Sequence, residues 1–256
     1  MTSGEALFKQ VSYSLNYLVN SIELGEIGLP DIRRPFVWKN AKIRDLLDSM
    51  YRGYPVGYLL FWQNAFTEDS RPIGVDKKQK SPNLLIVDGQ QRLTALFAVI
   101  KGVPVVRENY AAEKVEIAFN PLTEQFEVAD AAIRRDKAFV PNVTEIWSGQ
   151  VSLFDMVPKY LSELGSVRDV TPEDRAKITA SLQRLHNLLN YPFMALDLSR
   201  EIDEEQVADQ DGRAGDETPE ADHGTTRRLA ESYKSTRGRS SPAATTLQSA
   251  PRPTIG

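Results

Sequence analysis

Cysteine is missing from the 256 residues, and histidine occurs only at His186 and His223. Without cysteine there is no disulfide, no thiolate zinc site and no cysteine nucleophile. Two histidines cannot build a multi-histidine metal centre. No apolar run approaches the roughly 20 residues that cross a bilayer. The opening MTSGEALFKQ lacks a basic start ahead of an apolar core. No signal peptide is expected, and the chain reads as cytoplasmic with no membrane partner. Basic excess is missing too. The net charge is −4, so any contact with nucleic acid must come from a local basic patch. There is no Walker loop, no Ser-His-Asp arrangement and no internal repeat.

What is present divides near Gln206. Before it, apolar residues recur at regular spacings. From Gln206 to Gly256 there is no Phe, Trp or Met, and "RGRSSPAATTLQSAPRPTIG" is rich in Ser, Thr, Ala, Pro and Arg. Such a segment buries too little surface to offset its ordering entropy. Residues 206–256 are therefore read as a disordered tail behind a domain of residues 10–205.

That domain reads as mixed α and β. Leu15, Leu18, Val19 and Ile22 lie on one helical face, and so do Ile43, Leu46, Leu47 and Met50. "YPVGYLLFW" and "NLLIV" read as buried strands, Gln90 to Ile100 as a helix, and "KVEIAFNPLTEQFEVAD" as a hairpin about Asn120-Pro121. Helices are expected over residues 152–190, punctuated by Pro158 and Pro172, and "PFMALDLS" as a last strand. The fold class is α+β with a late helical portion.

The densest chemistry lies in "LLIVDGQQRLTAL", residues 84–96. A buried strand ends beside Asp88, and Gly89 permits a tight turn. A helix begins near Gln90, where backbone N–H groups without partners and the helix dipole favour anions such as phosphate. Arg92 adds a planar fork suited to phosphate oxygens. Gln90 and Gln91 can donate to phosphate or position a water, and Asp88 can hold a divalent metal or act as a base. The same residues also fit a plain turn, with Asp88 as an N-cap. Trp38, and less so Tyr58, Phe61 and Trp62, are candidates to stack a base, with core packing as the alternative. Arg33 and Arg34 are either phosphate or DNA contacts or exposed loop cations. The run "DKKQK", residues 76–80, is a basic loop.

"VDGQQRLTAL" resembles the signature of the GmrS-type N-terminal domain. This ParB/sulfiredoxin-like family occurs in modification-dependent (type IV) restriction enzymes and related phage-defence proteins. "LPDIRRPFVWKNAKIRDLLDSMYRGYPVGYLLFW" is similar to the family's P-x-x-Q-R-x-F-V-W block, its amphipathic helix and its Tyr-Pro-hydrophobic-Gly strand. Arg34, Phe36, Val37 and Trp38 match, while Arg33 replaces the usual Gln. The resemblance covers about residues 10–205. It implies a ParB/sulfiredoxin-like core that binds a nucleoside triphosphate with Mg²⁺ or a similar divalent cation. The catalytic residues would be Asp88, Gln91 and Arg92. Gly89, Gln90, Arg92 and Arg34 would hold phosphate, Asp88 the metal, and Arg33 and Trp38 would touch DNA or a base. Implied partners are DNA carrying a modification, a separate His-Asn-His-type nuclease domain or subunit, and a second copy of the chain.

The chain departs from the family pattern after "EEQVAD", where a helix is expected and "QDGRAGDETPEADHG" follows; no nuclease motif is present. A truncated or frameshifted end would give this loss of pattern. Three functions stay open: a nucleotide-hydrolysing, DNA-sensing subunit; a nucleotide-gated binding module without turnover; and an inactive remnant.

Overall fold

The computed structural model describes residues 7–28, 36–63, 82–150 and 152–199. Asp31, Arg33, Arg34, the basic run at 76–80, His223 and the 206–256 segment lie outside the described residues. The chain divides after Asp203, and all described residues belong to the first unit.

Three helices follow directly from apolar spacing. In α1 (Leu15–Glu23) the residues Leu15, Leu18, Val19 and Ile22 are buried, and the Ser14 hydroxyl caps the first turn by accepting from the Tyr17 N–H at 3.2 Å. Helix α2 (Asn40–Tyr51) buries Ile43, Leu46, Leu47, Met50 and Tyr51. Helix α3 (Gln90–Lys101) buries Leu93, Ala95, Leu96, Ala98, Val99 and Ile100, and touches both α1 and α2. Left-handed Gly102 ends it at φ 65°.

These helices accompany a mixed five-stranded sheet. Its strands are β1 (Phe8–Ser14), β2 (Ile27–Gly28), β3 (Leu59–Gln63), β4 (Leu84–Asp88) and β9 (Pro192–Leu198), in the order β1-β9-β3-β4-β2. The outer pairs β1/β9 and β2/β4 are antiparallel and parallel respectively. Central β3 runs parallel to β9 and antiparallel to β4. Phe61 at the middle of β3 and Phe193 and Ala195 on β9 are fully buried.

Between α3 and β9 lie two small ribbons and the helical portion. Strands β5 (Val105–Val106) and β6 (Ala112–Glu113) pair, as do β7 (Ile117–Asn120) and β8 (Gln125–Val128). The β7–β8 turn is held by the Asn120 side chain, which accepts from the Leu122 and Thr123 N–H groups. Phe119 and Phe126 of this hairpin pack with ring centroids 4.7 Å apart, tilted by 45°, and seat Tyr51 of α2. Helices α4 (Thr144–Trp147), α5 (Leu153–Gly165) and α6 (Pro172–His186) follow. Among the described residues no helix is long and apolar enough to cross a membrane.

The α+β class and the hairpin are as expected. Three details differ. Strand β1 was not foreseen, because it is an edge strand and mostly exposed. Pro158 lies inside α5 and does not end it. The strand expected from Tyr54 begins only at Leu59: Gly53 and Gly57, at φ 79° and 86°, turn Tyr54–Tyr58 into a loop.

Candidate functional site

The corner at residues 88–92 is where β4 gives way to α3. Asp88 is the last residue of β4 and faces Leu60, but Ile86 faces Phe61, so the register slips by one residue at this point. Such a bulge re-aims the side chains beside it. Gly89, not Asp88, is the helix N-cap, at φ 90° and ψ 10°. A Cβ there would lie 2.5 Å from Leu59 Cδ2, so both the backbone and the space require glycine. No side chain caps α3, and its first turn holds no acidic residue. The Gln90 and Gln91 amides of this twelve-residue helix therefore keep their donor capacity, while the Asp88 carboxylate on the Gly89 N–H offsets part of the positive potential.

Each polar residue of the corner has a defined position. The Asp88 carboxylate accepts from the Gly89 N–H at 2.7 Å, and its second oxygen lies 3.6 Å from Arg92 Nη2. Its side chain is 46% exposed, against 17% for Arg92. Gln90 donates through Nε2 to the Ile86 carbonyl at 3.3 Å. Gln91 Oε1 accepts from the Val37 N–H at 3.2 Å and so draws the Phe36-Val37-Trp38 stretch to the corner.

Arg92 turns inward. Its Nη1 donates to the Val56 carbonyl and its Nη2 to the Tyr58 carbonyl, the latter at 2.8 Å. The guanidinium thus grips the Tyr54–Tyr58 loop from below. Burial pulls its pKa below the usual arginine range, and the Asp88 carboxylate pulls it partly back. Gly57 and Gly89 flank it: a Cβ on Gly57 would come within 2.5 Å of Nη1, and one on Gly89 within 3.3 Å of Nη2. Sequence reading matched Gly57 to the Tyr-Pro-hydrophobic-Gly block but gave it no role. The adjacent Pro55 and Gly57 mark a turn, but nothing in them names Arg92 as the partner.

The aromatic candidates separate. Phe61 is fully buried in the core. The Trp62 indole nitrogen is buried without a hydrogen-bond partner. Trp38 is half-buried; Lys42 Nζ lies 4.7 Å from its ring centroid, and its carbonyl accepts from Arg107 Nη1 at 2.5 Å. Tyr58 is 59% exposed, and Tyr54 on the same loop is 60% exposed. Arg107 is a second organising arginine that sequence reading left unassigned. It donates to Asn40 Oδ1 and, at 2.9 Å, to Glu113 Oε2. Hydrogen bonding from Arg107 holds the Glu113 carboxyl below the usual carboxylate range.

The donor set bears on a metal. No group of three or more His, Cys, Asp or Glu side chains capable of holding an ion occurs among the described residues. Magnesium needs no such cage, since it takes one or two carboxylates, phosphate oxygens and water. Asp88, partly exposed beside the N-terminus of α3, fits that role and no larger one.

An uncharacterized protein of Methanocaldococcus jannaschii is 30% identical over 92 residues, which take in 32% of this chain. They take in 16% of that protein, so the chain spans a minor part of its length. Residues 15–210 match the N-terminal domain of the GmrSD restriction endonuclease, and this chain belongs to that family.

Proposed function

We propose that this domain binds a nucleoside triphosphate at the β4–α3 corner, with a divalent cation, as the nucleotide-dependent part of a modification-dependent DNA restriction or phage-defence system. The observation that carries the reading is the uncapped N-terminus of α3 behind left-handed Gly89, with Asp88 beside it. The amides of Gln90 and Gln91 would receive phosphate. Asp88 would hold the hydrated cation or orient a water, and the cation would neutralise charge as phosphate transfers. Gln91 would keep the Phe36–Trp38 stretch against the site, and Arg34, which precedes it in the chain, is our candidate for a cation on the phosphates. Arg33 and Trp38 would touch DNA. Cleavage would fall to a separate His-Asn-His-type nuclease, and a ParB/sulfiredoxin-like core over residues 10–205 is part of the same proposal.

The test is phosphate release from a nucleotide panel with Mg²⁺, beside Asp88→Asn. The carboxylate's contribution predicts a loss of about 100-fold. Equal release by both proteins counts against the role of Asp88, and none from a folded wild type counts against hydrolysis. One observation favours a second reading, binding without turnover: Arg92 is committed to two backbone carbonyls and to the Asp88 carboxylate 3.6 Å away, not held open for a phosphate. Saturable nucleotide binding with no phosphate release would select that reading.

A further inference from the structure

The arginine of the corner has a role that the phosphate reading does not use. A buried guanidinium needs partners for its fixed fork of N–H groups. Here it finds two carbonyls two residues apart, Val56 and Tyr58, on a loop 36 and 34 residues earlier in the chain. The fit is specific from both sides. Gly57, between those carbonyls, has φ 86° and no room for a Cβ against Nη1. Gly89 has φ 90°, and a Cβ there would lie 3.3 Å from Nη2. Two left-handed glycines from separate segments thus enclose one guanidinium.

The loop is held at its other end as well. Tyr191 donates its hydroxyl to the Tyr54 carbonyl at 2.7 Å, and the Tyr54 N–H bonds the Ser49 carbonyl at 2.9 Å. The Tyr54 and Tyr58 backbones are therefore hydrogen-bonded while the two residues stay 60% and 59% exposed. Fixed backbone under exposed aromatic side chains is a low-entropy contact surface.

We propose that Arg92 is a positioning residue: seated between Gly57 and Gly89, it straps the Tyr54–Tyr58 loop to the β4–α3 corner and sets Tyr54 and Tyr58 as a rigid aromatic lip beside that corner. The strap stands on the geometry of the free protein. Its effect on ligand affinity rests on the nucleotide reading.

Two arms keep these apart. In the first, hydrogen exchange is followed in the Val56–Leu59 segment of the ligand-free chain. Arg92→Lys, whose single amine cannot reach both carbonyls, and Gly57→Ala, which leaves the charge in place, should each speed exchange at least tenfold with cooperative melting retained. Arg92→Gln replaces Gly57→Ala if the latter does not fold. Unchanged exchange in Arg92→Lys overturns the strap. In the second arm, nucleoside triphosphate affinity is measured with Mg²⁺. The strap predicts that Gly57→Ala and Arg92→Lys weaken binding alike. A phosphate clamp predicts that Arg92→Lys, which keeps the charge, binds clearly more tightly than Arg92→Gln, which would overturn the positioning role. If the wild type binds no nucleotide, the phosphate reading falls and the exchange arm alone decides the strap.

Discussion

Gly89 and Gly25 both have left-handed backbones, at φ 90° and 73°, but their surroundings differ. A Cβ on Gly25 meets nothing within 4 Å, whereas one on Gly89 meets Leu59 Cδ2 at 2.5 Å and Arg92 Nη2 at 3.3 Å. Gly25→Ala should therefore cost only backbone strain, about 1 kcal/mol. Gly89→Ala adds a collision with a fully buried leucine and the strapped arginine, and should cost about 3 kcal/mol in total. Urea denaturation of the two variants beside the wild type checks both values. Equal losses would mean that the corner's packing contributes nothing. Much of the corner was legible in "VDGQQR". An apolar run breaks at Asp88, glycine follows, and the apolar spacing changes from that of a strand to that of a helix. The partners of Arg92 were not legible. They are backbone carbonyls, which carry no side-chain signature, and they lie more than thirty residues away.

Helix α6 shows how far local signals reach. Thr171 accepts from the Asp174 N–H at 3.1 Å, Asp174 accepts from the Thr171 N–H at 3.3 Å, and Pro172 occupies the first turn. This reciprocal cap satisfies two donors that the helix leaves orphaned. Thr171→Ala should cost about 1 kcal/mol, read as a shift in the denaturation midpoint at unchanged slope. Pro172 marked this boundary in the sequence. Pro158 marked none, because it falls within the first two turns of α5. There its missing N–H would have reached only the Phe154 carbonyl near the helix start. Helices α1, α2 and α3 were legible because one face of each is buried without interruption. Strand β1 was not, since Phe8, Lys9, Gln10 and Ser12 are exposed and the pairing that makes it a strand lies far along the chain.

Across the whole molecule, three tyrosines tie distant elements together by hydroxyl hydrogen bonds. Tyr13 donates to buried Asp197 at 2.7 Å, Tyr51 to Glu124 at 2.9 Å, and Tyr160 to the Ala138 carbonyl at 2.8 Å. Burial pushes the Tyr160 hydroxyl up to about 12, and burial with a neighbouring carboxylate pushes Tyr13 and Tyr51 higher still. The unfolded chain ionises its tyrosines near 10, so above that pH it binds fewer protons than the native state. The stability these groups supply is complete below pH ~10 and is lost as pH climbs toward and past 12. Chemical denaturation across that range should show the decline, with tyrosinate absorbance of the native protein lagging that of the unfolded chain. The order β1-β9-β3-β4-β2 has a consequence in time as well as in space. Tyr13 and its partner Asp197 stand 184 residues apart, and β9 must insert between β1 and β3 before β1 has a neighbour and β3 its second. At the pace of translation, β1 waits roughly 10 to 40 seconds for β9. Through that interval the Leu59–Phe61 stretch has an open strand edge. Until β9 is made, the sheet carries an unpaired edge, and among the described strands β9 sets the moment at which the sheet can close.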